Sequence, residues 1–187
     1  NAGRNEGRPL MTDLERLLAI TEIQQLAYRY AVYLDARELD KLVALYSPDV
    51  RVTRELSGRK ALRGDFDRSL RAVGATFLHV GNHVIDFVDG AHATGIVYCR
   101  GEIQDGGPES SRWIIHAIQY HDRYERRDGQ WCFKSRKPVV FYAADILEHP
   151  LRVPNRFNFP GNPMLDRAEL PEKWESWRTF WARTGSE

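Results

Sequence analysis

Tyr120-His-Asp-Arg-Tyr-Glu-Arg-Arg-Asp-Gly-Gln-Trp131 runs through an Asp-Gly step with aromatic residues on both sides. Asp-Gly favours two-residue turns, where both central residues take positive φ, so this stretch predicts two antiparallel strands joined by a tight hairpin. The dipeptide recurs at Asp89-Gly90, and Asp105-Gly-Gly-Pro108 supplies a third break. The chain from 76 to 143 thereby divides into four predicted strands, 76–88, 92–104, 111–126 and 130–143. Strands this long must twist and curl.

Upstream the period is helical. In Thr21-Glu-Ile-Gln-Gln-Leu-Ala-Tyr-Arg-Tyr-Ala-Val-Tyr-Leu-Asp35, the residues Ile23, Leu26, Ala27, Tyr30, Ala31 and Leu34 fall on one face. Thr21 with Gln24, and Thr12 with Glu15, have the form of capping boxes, predicting a short helix that leads into the main one. A further helix is predicted over 38–46, stopped at Ser47-Pro48, and another over 65–73. Between them, Val50 to Arg54 and Lys60 to Arg63 predict a small hairpin around Ser57-Gly58. Helices first and strands after predict an α+β domain. Its N-terminal helices would close a strongly curved, mixed or antiparallel sheet into a cone-shaped α+β barrel with an internal cavity. The predicted organisation is a disordered tail over 1–11, the cone domain over 12–147, and a C-terminal extension over 148–187. That extension holds a Pro- and Asn-rich loop and a terminal helix carrying the Trp174, Trp177, Trp181 stripe.

Composition narrows the function. Of 187 residues, 42% are hydrophobic and 28% charged, with a net charge of +1, which argues against a dedicated nucleic-acid or membrane binder. No apolar run reaches the roughly 20 residues of a bilayer helix, and no secretory signal is visible. Cys99 and Cys132 lack metal-type spacing and are expected to stay reduced in a cytoplasmic protein.

Asp35 places a charge at the edge of a face that is otherwise buried, so a histidine on a later strand is its expected partner. Tyr30, about 140° from Asp35 on a straight helix, is either a hydrogen-bond donor to a leaving group or a core residue. Ile114, His116, Ile118 and Tyr120 share one strand face, making His116 a second acid–base candidate and Tyr120 its neighbour. His83 shares a face with His79 by the same alternation unless a bulge intervenes. A metal site from His79, His83 and Asp35 has no tight ligand motif behind it, and neither metal nor cofactor is expected. Arg136 either binds an anionic or polar substrate group or pairs with a carboxylate.

Four segments carry a family resemblance: Ile23 to Asp35, Leu78-His79-Val-Gly-Asn82, Ala93-Thr-Gly-Ile-Val-Tyr98, and the Tyr120 to Trp131 hairpin. Together they resemble the SnoaL-like polyketide cyclases and scytalone-dehydratase-like proteins of the nuclear-transport-factor superfamily. Within that group the pattern looks most like hexachlorocyclohexane dehydrochlorinase and bile-acid 7α-dehydratase. The resemblance implies a catalytic set in which His79 is the base, Asp35 orients it and Tyr30 assists. It implies that Arg136 is functional, that Cys99 and Val97 line the cavity, and that the chain forms a homo-oligomer, with a trimer favoured over a dimer.

Two functions follow as expectations. The first is a cofactor-independent lyase or isomerase, dehydratase- or dehydrohalogenase-like, acting on a small hydrophobic cyclic ligand by His-Asp general base catalysis. The alternative is a non-catalytic cavity-binding or assembly protein, similar to the β subunit of a ring-hydroxylating dioxygenase. A steroid-isomerase-type enzyme with a lone aspartate base would require carboxylates that are not recognisable here.

Overall fold

The computed structural model describes residues 11–147 and 174–183. Residues 1–10 of the expected tail over 1–11, and the Pro- and Asn-rich loop, lie outside the described residues.

The first element, α1 (Asp13–Asp35), is continuous through Thr21. Its true start is Thr12, whose side chain accepts from the Glu15 amide while Glu15 accepts from the Thr12 amide. Thr21 is mid-helix instead, its hydroxyl donating to the Leu17 carbonyl at 3.0 Å. The helix ends where Arg37 adopts a positive φ of 59°, just past Asp35.

Next come α2 (Leu39–Ala44) and α3 (Arg59–Arg71). The hairpin expected around Ser57-Gly58 is reduced to a single bridge between Arg51 and Ser57, because residues 60–63 form the first turn of α3. Gly58, with φ of 91°, provides the reversal that opens that helix.

The remainder is the predicted sheet: β1 (Val73–Phe87), β2 (His92–Asp105), β3 (Arg112–Arg127) and β4 (Gln130–Asp145), antiparallel in the order β1-β2-β3-β4. Asp128 and Gly129 both take positive φ, as a type I′ turn requires. The sheet is open and curls about α1, which contacts β1 on one side and β4 on the other.

Alternation then sorts the side chains. Along β2, Ala93, Val97 and Cys99 are buried, whereas Thr94, Ile96, Tyr98 and Arg100 are exposed. Gly95 keeps this inner face open for Tyr124, since a Cβ there would sit 2.8 Å from the Tyr124 ring. The core lies between this inner face and the helices, with Ile23, Leu42, Val97, Tyr124 and Phe133 among its most buried members. The short helix α4 (Glu175–Ala182) buries Trp177 and Phe180 against the domain.

Candidate active site

The end of α1 carries Asp35 into the core. Its Oδ1 accepts from the Thr76 hydroxyl at 2.8 Å and its Oδ2 from the Leu78 amide at 2.9 Å. Burial pushes its pKa up to about 6, against the opposing pull of the Leu78 amide, the Thr76 hydroxyl and the Arg37 charge. Arg37 reaches the same place from beyond the helix end. Its guanidinium donates to Thr76 Oγ1, to the Leu34 carbonyl and to the Gly74 carbonyl, and lies over the rings of Trp177 and Phe180. Burial draws the pKa of Arg37 down to about 10, with Asp35 opposing.

The structure does not bring His79 to Asp35. Thr76 and Leu78 point inward to grip the carboxylate, so strand alternation turns His79 to the exposed outer face, where it pairs across to Arg100. The expected hydrogen bond between Asp35 and His79 is therefore not formed. His79 borders a shallow groove of about 300 Å³ with Tyr98, Arg100, Phe141 and Tyr142. The half-buried His116 also reaches that groove, but it stands opposite the buried Gly101, on the face it shares with Ile118 and Tyr120. His83 turns inward as well. A register shift between Val80 and His83 reverses the alternation, and His83 Nε2 meets the Tyr124 hydroxyl at 3.0 Å.

The other expected side chains do converge inside. Tyr30 and Asp35 are both buried although they are not on one helical face, because the curled sheet wraps the end of α1. Tyr30 and Tyr120 meet edge to face with centroids 5.8 Å apart, and Cys99 and Val97 are buried on β2. Burial raises Tyr30 to about 12 and Cys99 to about 11, so the first remains a phenol and the second a thiol.

Arg136 pairs with a carboxylate. Its Nε and Nη2 donate to the two oxygens of Asp122 at 2.9 and 2.7 Å, and both side chains are almost wholly buried. The guanidinium also lies 4.4 Å from the ring centres of Tyr30, Tyr120 and Phe133. Burial alone would lower Arg136; the hydrogen bonds and charge of Asp122 hold it well above its ordinary value.

Sequence reasoning passed over Asp122, Tyr124, Thr76 and Arg37. A usable signal existed for the first two. Asp122 and Tyr124 continue the two-residue phase of Ile118 and Tyr120, and an acid on a buried strand face demands a cationic partner. Among the described residues no three His, Cys, Asp or Glu side chains gather as a metal site would require.

The interior thus offers one carboxylate poised near neutrality, protonated phenols, a thiol and a neutral-type histidine within an aromatic wall. Such groups can move a proton and support a departing substituent.

The chain is similar to several known proteins. The SnoaL-like domain model matches residues 15–137. The gamma-hexachlorocyclohexane dehydrochlorinase of Sphingobium indicum is 30% identical over 143 residues, spanning 73% of this chain and 89% of that protein. A solved type 2 hexachlorocyclohexane dehydrochlorinase is 25% identical with a TM-score of 0.63, covering 81% of this chain and 100% of its own. The type 3 enzyme of Novosphingobium barchaimii shares the fold, with a TM-score of 0.65 at 22% identity over 73% of this chain and 95% of its own.

Proposed function

This chain belongs to the SnoaL-like family, and on that premise we propose that it is a cofactor-independent lyase or isomerase acting on a small hydrophobic cyclic substrate. The observation that carries the reading is Asp35: a buried carboxylate on the inner face, with a pKa pushed up to about 6.

Above that pH, Asp35 is an ionised base in a site of low polarity. It removes a proton from a ring carbon; the C–H electron pair becomes the new double bond, and the substituent on the neighbouring carbon leaves with its bonding electrons. Thr76 and Leu78 hold the carboxylate in place, and the phenols of Tyr30 and Tyr120 supply donors for the departing halide or hydroxyl. The base in this reading is Asp35 itself, since neither of its oxygens is bonded to His79. That its relative is named a dehydrochlorinase supports an elimination.

The test is elimination from a panel of halogenated and hydroxylated cyclohexanes, followed by halide release and alkene formation. Asp35→Asn, which keeps the side-chain shape, is expected to lose about 10²–10⁴-fold in kcat/KM. Parent-level turnover in that variant would overturn the role of Asp35.

One observation favours a second reading, a cavity-binding or assembly protein without turnover. The interior rings of Tyr30, Tyr120 and Phe133 close on one another, while His79 faces outward. That reading predicts ring binding by the wild type with no release of halide or water.

A further inference from the structure

The His83 side of the interior carries a group that the elimination scheme leaves unused. Tyr124 donates its hydroxyl proton to Asp122 Oδ2 at 2.7 Å, and both oxygens of that carboxylate also accept from Arg136. A phenol has one proton to give. The Tyr124 oxygen must therefore accept from His83 Nε2, which makes the neutral ring the Nε2–H tautomer. Nδ1 is then a bare lone pair. It is buried, and it meets no hydrogen-bond partner among the described residues.

The ring is also neutral at ordinary pH. Burial draws His83 down to about 4; of the charges that face it, Asp122 pulls upward and Arg136 pushes down. A buried acceptor without a donor is costly, and a bound molecule that brings a donor to it removes that cost. An O–H group on a ring would complete Nδ1, whereas a C–Cl bond has no proton to offer. The two ends of the interior are joined by contact: His83 reaches Arg136 through Tyr124 and Asp122, and the Arg136 guanidinium lies 4.4 Å from the ring centres of Tyr30 and Tyr120.

We propose that His83 is a specificity residue: its Nδ1 accepts a hydrogen bond from a ring hydroxyl, so this interior favours hydroxylated cyclic molecules over halogenated ones of the same shape. Tyr124, Asp122 and Arg136 are positioning residues that fix its tautomer. The inference deepens the lyase reading by naming the substrate class of the same interior, and its test needs no turnover.

Cyclohexanol and chlorocyclohexane form a probe pair of similar shape in which only the alcohol carries a hydrogen-bond donor. The full-length wild type is expected to bind cyclohexanol at least about tenfold more tightly, as a site built around a hydrogen bond discriminates against an analogue that cannot make it. In ¹⁵N-histidine NMR, His83 should appear as the Nε2–H tautomer, with the Nδ1 resonance moving when cyclohexanol is added and staying fixed with chlorocyclohexane. His83→Phe should abolish the preference. Tyr124→Phe leaves the imidazole in place but frees its tautomer, and should reduce the preference by about half an order of magnitude or more.

An Nδ1–H tautomer in the wild type, equal affinities, or no binding of either probe would each overturn the proposal. So would a preference that survives His83→Phe. A cyclohexanol preference in a protein that eliminates nothing would sustain this proposal and sink the lyase reading. Elimination that depends on Asp35 but shows no such preference would do the reverse.

Discussion

Asp35 and Asp122 both reach the interior, each with an arginine nearby, and the fold treats them differently. Asp122 and Arg136 meet in a two-pronged fork, and three aromatic rings surround the guanidinium. Asp35 and Arg37 are linked through the Thr76 hydroxyl, which donates to one and accepts from the other. The direct fork compensates the desolvation of both partners, and Arg136 stays firmly charged. The indirect link compensates it only partly, so Asp35 is left near neutrality, with its pKa at about 6. One pair holds the strands β3 and β4 together; the other leaves a carboxylate free to exchange a proton.

Breaking the fork should give the largest effect on stability. Asp122→Ala strands the Arg136 charge in the core and is expected to cost about 3–5 kcal/mol in denaturant unfolding. Replacing both partners by apolar residues of similar size should recover most of that loss, because no buried charge is then left unpaired. A double variant as unstable as the single would show that the fork contributes more than compensation.

The Asp35 side should reveal itself through pH. Its folded pKa of about 6 lies above the ordinary carboxylate value of 3.8, so the folded state holds this proton more tightly than the unfolded chain does. The stability it contributes is full below that ordinary value and is lost as pH rises through the folded one. Between pH 4 and pH 8 the wild type should lose about 2 kcal/mol relative to Asp35→Asn, a difference in which other titrating groups cancel. A flat difference would show that Asp35 titrates normally.

The smallest effect belongs to the outer face. His79→Ala removes an exposed ring and should change stability by less than about 0.5 kcal/mol. Under the interior reading it also leaves elimination within about twofold of the parent. A hundredfold loss of rate in a folded variant would restore His79 to the reaction and blur the distinction between the faces.

Much of this was legible in the chain itself. The Asp-Gly steps marked the turns, and the helical spacing of Ile23 to Leu34 marked the buried side of α1. Strand parity grouped Tyr120 with Ile118 and Val97 with Cys99, and the family resemblance turned the latter pair inward; all four are buried. Two errors have local causes. Thr21 with Gln24 reads like a helix start, but helix propagation from Thr12 overrode it, since each added residue gains a hydrogen bond without a new nucleus. Residues 60–63 read like a strand because four residues cannot separate the periods, and the turn at Gly58 set them as a helix.

By itself, then, the sequence determined the order of elements, the sheet with its turns, and which residues share a face within one regular stretch of strand or helix, because these follow from local periods and turn chemistry. Only the tertiary structure decided which partners those side chains take. The shift between Val80 and His83 depends on how β1 registers against β2, and it puts His83 on the face opposite to His79. The environment of Asp35 depends likewise on Thr76 and Leu78, some forty residues downstream. A period repeats along the chain and can be read there; a one-residue change of register, and the desolvation of a single carboxylate, exist only once distant segments have packed.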